Sequence, residues 1–341
     1  MALIALAAHD PGGAGVLAAA APGLRDRGHG LLWLPAGPAA KLWREAGEYV
    51  PEAMTASAAI AAITREQPAL LLTGTSFHDG YERALWAAAR KLGIPSFAAL
   101  DSWTNIEKRF RSADGSLEQP SALGVTDERT RAQIAAEGWC TARVLVVGQP
   151  HLAGRVDRLR RRRKNRPGGA PKRIVFFSEP IEEDYGPIAR GFTQFEVATL
   201  AAEALAGAAS VTVEVKPHPR ETEARWRDWL ARAPNARLAT EDTEALLAAA
   251  DGVLGMTTMA LVEAALAGIP TLSLQPDRPG ILVPILEDVV SVVSRRAEAA
   301  DAVRSWLSGV DRAVQAPTAR DLLDDPARLA TTVEEILRER A

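Results

Sequence analysis

The chain has 341 residues, 47% of them hydrophobic and 24% charged, with a formal net charge of −3. That length can bury two cores, and the near-neutral charge gives no general electrostatic case for nucleic acid. A single cysteine, Cys140, cannot form an internal disulfide, which fits a reducing cytoplasm; it is read as a structural thiol.

The N-terminal stretch has no basic region, and His9-Asp10-Pro11-Gly12-Gly13 interrupts its apolar run, so it is not read as a signal peptide. Instead Ala2–Ala8 predicts a strand, 9–15 a glycine loop, and Val16–Arg27 a helix. The glycines at 12, 13 and 15 do not match the G-x-G-x-x-G spacing of a dinucleotide site. The second strand, Leu31–Leu34, ends in Pro35-Ala36-Gly37, with no acid to hold a ribose. Ala69–Thr73 is the next strand and ends in Gly74-Thr75-Ser76-Phe77-His78-Asp79. A helix over Tyr81–Leu92 and a strand over Ile94–Leu100 follow, and that strand ends in Asp101-Ser102-Trp103-Thr104-Asn105. Ala122–Val125 and Val144–Val147 complete the strands of the first half, residues 1–150. Strand and helix alternate as in a doubly wound parallel sheet.

Residues 151–172 read as a linker. Arg155 to Arg166 predicts a helix with a solvated basic face, followed by Pro167-Gly168-Gly169-Ala170-Pro171. The alternative for this segment is contact with an anionic membrane or polymer. No apolar run reaches the roughly 20 residues of a transmembrane helix. The reading is therefore a cytoplasmic protein, with peripheral membrane contact as the alternative.

The second half, 173–341, restarts the alternation. Arg173–Phe177 is a strand ending in Ser178-Glu179. A helix over Thr193–Leu205 leads to the buried strand Val211–Val215, which runs into Lys216-Pro217-His218-Pro219-Arg220. The two prolines end the ladder because neither has an N–H to donate. What remains is a stiff loop carrying three groups suited to phosphate, at the strand end where open α/β sheets bind ligands. Gly252–Leu254 is a further strand, ending in Gly255-Met256-Thr257-Thr258. The helix after it, Met259–Ala267, can be capped by a threonine while its free amides face an anion. Glu263 sits on this otherwise apolar helix, where an acid is costly unless paired or used. Strands over Thr271–Leu274 and near Val289–Val293 come last, with a terminal helix over Thr331–Arg340.

Two α/β halves, the Lys-Pro-His-Pro loop, and the later Gly-x-Thr-Thr helix with its internal glutamate resemble the GT-B glycosyltransferase superfamily. The pattern is similar to bacterial surface- and capsular-polysaccharide transferases. The resemblance spans the architecture of the whole chain, while its motifs lie between Arg173 and Leu274. It implies two Rossmann-like domains facing a central cleft, with the acceptor on the first and the nucleotide-sugar donor on the second. Lys216 and His218 would contact the donor phosphates, Gly255, Met256, Thr257 and Thr258 would hold the diphosphate, and Glu263 would take the ribose hydroxyls. Ser178 and Glu179 would line the donor pocket. On the first domain, Gly12, Gly13, Thr75, Ser76, Trp103 and Asn105 would form the acceptor side. An inverting transfer needs a base within reach of the acceptor hydroxyl; Asp10 is the first choice, then Asp101 or His9.

The substrates implied are a nucleotide sugar and a glycan or lipid-linked acceptor, with no cofactor. GT-B transferases rely on cations and a helix dipole rather than a catalytic metal, and the sequence has no D-x-D. His78-Asp79 and Glu182-Glu183-Asp184 are the acidic runs a divalent ion could use, but such runs are usually solvated. No G-x-S-x-G or Walker loop is present. Three competitors share the architecture: a UDP-N-acetylglucosamine 2-epimerase, a CDP-glycerol-type phosphotransferase, and a non-catalytic nucleotide-sugar-binding protein.

Overall fold

The computed structural model describes residues 1–77, 79–163, 171–208, 210–310 and 327–339. His78, the expected linker run 164–170 and Arg340 of the expected terminal helix lie outside the described residues. The chain forms two compact units, one of Met1–Gly154 with Arg320–Ala341, the other of Arg155–Ala319.

The first unit alternates β1 (Leu3–Ala8), α1 (Pro11–Asp26), β2 (Gly30–Pro35), α2 (Ala39–Glu45), α3 (Ala56–Glu66), β3 (Leu70–Thr73), α4 (Tyr81–Leu92) and β4 (Ser96–Ala99). A 3-10 turn (Glu107–Phe110), β5 (Ala122–Val125), α5 (Glu128–Glu137), β6 (Arg143–Val146) and the start of α6 (Pro150–Arg162) follow. Its six strands run in the order β2-β1-β3-β4-β5-β6, and the strand pairs are parallel. A parallel sheet needs both faces covered, and β1 shows how this sequence does it. Ile4, Leu6 and Ala8 pack with α1 and Trp43 on one face, while Ala5 and Ala7 pack with residues of α3 and α4 on the other.

The first face is completed from the far end of the chain. Helix α14 (Arg328–Arg338; α13 is given below) carries Leu329, Ala330, Val333 and Ile336 into the same core as α1. The apolar residues recur at helical spacing along one stripe. The expected second half, 173–341, includes this helix, but the terminal helix belongs to the first unit. His29, on the buried side, pairs with Glu334 across the junction.

The second unit contains β7 (Lys172–Phe177), α7 (Ile181–Tyr185), α8 (Gln194–Leu205), β8 (Val211–Lys216), α9 (Glu223–Leu230), β9 (Ala236–Leu238) and α10 (Thr243–Ala249). It continues with β10 (Gly252–Gly255), α11 (Met259–Leu266), β11 (Thr271–Leu274), α12 (Pro284–Val289), β12 (Ser291–Val293) and α13 (Arg296–Gly309). Its strand order is β12-β11-β10-β7-β8-β9, again parallel. Counted from β7 this is 3-2-1-4-5-6, the order of dinucleotide-binding sheets. Phe176, Val213, Val215, Leu254 and Leu272 build one face of its core with Trp226 and Trp229.

The expected basic face is exposed at Arg158, Arg160, Arg161 and Arg162, and several of its arginines are also paired. Along α6, Arg155 pairs with Glu263 at 2.9 Å, Arg162 with Glu244 at 2.9 Å, and Arg160 donates to the carbonyl of Leu266 at 2.7 Å. These arginines face acids and a helix end within their own unit.

Because α14 fills the first core, Leu329→Ala should destabilise the first unit by about 2–5 kcal/mol. Urea unfolding followed by the fluorescence of its tryptophans checks this; an unchanged midpoint would show that α14 is only loosely attached.

Candidate functional site

Open parallel sheets bind ligands outside the strand carboxyl ends, where the strand order reverses. In the first unit that point lies between β1 and β3. Pro11 opens α1 at its first position, where the missing N–H costs nothing. The helix therefore starts five residues earlier than Val16 (16 − 11 = 5), and the expected glycine loop is the first turns of α1. The glycines serve close packing. A Cβ on Gly13 would lie 2.9 Å from the Cα of Gly74, and one on Gly12 would overlap the Asp101 carboxylate. One on Gly15 would meet the His151 ring at 2.9 Å.

This approach brings β1, β3 and β4 ends together around a histidine–carboxylate pair. The Nδ1 of His9 lies 2.7 Å from the Oδ1 of Asp10. An ionised Asp10 accepts the Nδ1 proton, leaving Nε2 with its lone pair. Burial raises the Asp10 carboxyl, but hydrogen bonds from Ser76 and His9 and the charge of His9 outweigh it, so the net shift is downward. Nε2 lies over Gly37, whose left-handed backbone (φ 44°) and missing Cβ make room for the ring. The carboxylate of Asp79 is 3.7 Å from Nε2.

Beneath the pair sits a buried acid that the sequence reading missed. Glu82, 1% exposed, accepts the backbone N–H of His9 at 2.9 Å. Burial pushes its carboxyl up to about 7, and its second oxygen has no partner. The signal was in the sequence: Glu82 heads the buried stripe of α4 that continues with Leu85, Trp86 and Ala89.

The other candidates of this unit take structural partners. Asp101 is ion-paired with Arg109 at 2.7 Å, and Arg109 also donates to the hydroxyl of Thr75 at 3.0 Å. The Asp101 carboxylate is thus engaged by a buried guanidinium. Trp103 is buried and its indole donates to Asp127, the N-cap of α5; it is a packing residue. Asn105 is exposed with φ 54°. Ser76 is buried, 3.5 Å from His9 Nδ1.

In the second unit the reversal lies between β7 and β10. Ser178 and Glu179 end one strand, and Gly255 to Thr258 end the other. A Cβ on Gly255 would stand 2.9 Å from the Phe177 carbonyl, so the two ends touch. Met256 is fully buried, with its carbonyl taken by Ser273 and by Gln275 at 3.2 Å. Thr258 caps α11 by accepting from Ala260 N. Glu179 accepts the Thr257 N–H at 2.6 Å and its hydroxyl at 2.9 Å. The Thr257 amide, just ahead of the N-cap of α11, is therefore already taken by a carboxyl group. Burial pushes the Glu179 carboxyl up to about 7, against the pull of Thr257 and Arg190.

The Lys-Pro-His-Pro loop continues β8 and is closed by Glu221, also missed from sequence. Glu221 accepts the His218 N–H at 2.6 Å and the Ser178 hydroxyl at 2.9 Å. His218 Nδ1 accepts the Arg220 N–H at 3.2 Å, so its neutral ring carries the proton on Nε2, as a donor. Burial and Arg220 lower its pKa. Lys216 Nζ donates to the Glu241 carbonyl at 2.7 Å. Arg220 is different: it forms a two-pronged pair with Asp184 at 2.6 and 2.7 Å. Glu263 is held by Arg155, which supplies the partner its burial demands. Among the described residues no group of three or more His, Cys, Asp or Glu is arranged to hold a metal ion.

No family model matches the sequence, and no curated protein matches it. Solved structures do. A UDP-GlcNAc 2-epimerase from Methanocaldococcus jannaschii is 12% identical, with 98% of this chain and 99% of that chain covered and a TM-score of 0.69. The epimerase from Neisseria meningitidis bound to UDP-GlcNAc is 11% identical over 98% and 99%, with a TM-score of 0.67. The calicheamicin glycosyltransferase CalG4 is 16% identical over 99% and 98%, with a TM-score of 0.56. The fold is GT-B. Both sheets, with their parallel order and interleaved helices, belong to that fold, which epimerases and glycosyltransferases share.

Glu82 and Glu179 carry folded pKa values near 7 against an ordinary 4.5. A raised carboxyl pKa favours the folded state most below the unfolded value, and that stability is lost as pH rises through the folded value. Unfolding free energy should thus fall between pH 5 and 8, and Glu82→Gln should flatten its share of the fall. Urea titrations across that range test it; an equal slope in the variant would show that Glu82 keeps an ordinary pKa.

Proposed function

We propose that the chain is a glycosyltransferase that takes a nucleotide-activated sugar at the carboxyl edge of the second sheet and uses His9 of the first unit as general base on an acceptor hydroxyl. The observation that carries the reading is the His9–Asp10 pair at 2.7 Å, at the reversal of the first sheet. Asp10, first choice as base from the sequence, takes a different role here. It fixes the ring and stabilises the imidazolium that forms when Nε2 accepts the hydroxyl proton.

On the donor side, His218 Nε2–H donates a hydrogen bond and the Lys216 ammonium supplies positive charge to a departing diphosphate, with the amides before α11. No cofactor enters this scheme, and charge neutralisation is assigned to these groups rather than to a metal. The acceptor is a glycan or lipid-linked hydroxyl, in the setting of cell-surface glycan assembly in the cytoplasm. Among the described residues no helix is long and apolar enough to cross a membrane.

A second reading, 2-epimerisation of a UDP-sugar, is favoured by one observation. The two epimerases superpose with TM-scores of 0.69 and 0.67 against 0.56 for the transferase. It differs in needing no acceptor, and would need a group able to take a proton from carbon, for which Glu82 beneath His9 is a candidate.

Two measurements separate these. Thermal-shift screening with UDP, CDP, CMP, GDP and TDP and their sugars should show one that raises Tm in the wild type and does so less in His218→Ala; no shift with any of them sinks the donor site. With that donor and an acceptor library, His9→Ala should lose about 10²–10⁴-fold in kcat while keeping the donor's thermal shift. Conversion of UDP-GlcNAc to its 2-epimer without acceptor, followed by NMR, would select the second reading, and unchanged transfer by His9→Ala would overturn the base assignment. A non-catalytic binding protein would keep the shift and show neither reaction.

A further inference from the structure

In the second unit, the donors ahead of α11 to which the donor-site reading assigns the phosphate are already taken by a side chain. Glu179 leaves the end of β7, and its carboxylate takes the Thr257 N–H at 2.6 Å and the Thr257 hydroxyl at 2.9 and 3.1 Å. These are the donors an incoming diphosphate would use, at the positive end of α11. Two anions cannot share one amide without strong repulsion.

We propose that Glu179 is an internal stand-in for the donor phosphate, and that the nucleotide sugar binds by displacing it together with the uptake of one proton. This rests on the donor-site reading given above. The charged groups acting on Glu179 are Arg190, from the segment after α7, and Glu221, from the loop after β8. Arg190 lies 3.8 Å over the Tyr185 ring, held as a cation that loses its carboxylate neighbour when Glu179 is neutralised and can face phosphate instead. Glu221 is fixed by His218 N–H, Ser178 and the Trp226 indole, and its negative charge adds to the tendency of Glu179 to take a proton. Burial sets Glu179 to titrate near 7, so the exchange falls within the physiological range. His218 shifts the other way from Glu179: burial and Arg220 lower its pKa and favour its neutral form.

The consequence is a donor affinity that depends on pH although the donor itself does not titrate. A sugar-linked phosphate is a diester and lacks the ionisation near pH 6 of a terminal phosphate. The experiment is isothermal calorimetry on the full chain at pH 6, 7 and 8 with UDP-N-acetylglucosamine, CMP-N-acetylneuraminate, GDP-mannose and dTDP-glucose. Each is measured in two buffers of different ionisation heat. For the sugar that binds, affinity should weaken about tenfold between pH 6 and 8, with close to one proton taken up at pH 8 and almost none at pH 6. Glu179→Gln should bind at pH 8 as tightly as the wild type does at pH 6. Binding with no proton uptake and no change of affinity overturns the stand-in while leaving the donor site intact. No binding by any of the four at any pH overturns the donor site, and the inference with it. The wild-type proton count stands even if Glu179→Gln does not fold.

Discussion

The geometry of the first unit depends on how closely two backbones approach: Gly13 near the start of α1 and Gly74 just past β3. A single methyl at either position would have to enter van der Waals space already filled by the other strand or helix. That closeness draws the start of α1 into the sheet edge. It sets Asp10 against Ser76 and His9, and it places Asp101 over Gly12, where Arg109 neutralises it. Remove the approach and the histidine–carboxylate pair, its buried glutamate and its guanidinium-held neighbour no longer have a common origin.

The second unit uses the same device with different chemistry. There the strand ends of β7 and β10 meet at Gly255, and the groups at the junction are acids serving as hydrogen-bond acceptors for backbone. Glu221 organises the proline-stiffened loop by gathering its amide, a serine and an indole. Glu179 does the same for Thr257. Each carboxyl accepts hydrogen bonds that favour its charged form, yet burial outweighs them and shifts both groups toward taking a proton. The donors at this edge are already arranged around carboxyl groups of the chain's own.

Much of this was legible in the sequence. The strands and their order of occurrence followed from apolar runs bounded by glycine and proline, and the two loops that matter, around 216–220 and 255–258, stood out through prolines, cations and threonines. What the sequence did not reveal were partnerships at long range. Glu263 reads as an acid in need of a ligand until Arg155, more than a hundred residues away, is seen beside it. Arg220 reads as a phosphate cation until Asp184 closes on it. Glu82 and Glu221 have no local motif; only the folded packing shows that one underlies His9 and the other closes a loop. The glycines at 12, 13 and 15 looked like a loop because their role, clearance for a neighbouring backbone, carboxylate and ring, exists only in three dimensions.

The placement of α14 carries a consequence for how the chain is made. Its first unit is discontinuous in sequence, and the core of that unit lacks Leu329, Ala330, Val333 and Ile336 until the intervening second unit has emerged. At ordinary translation speeds the interval from the end of its N-terminal segment to its last helix is on the order of ten to thirty seconds. During that time the apolar flank of α1 is uncovered. The discontinuous unit is thus the one completed later, whereas the second unit, contiguous in sequence, can close as it appears.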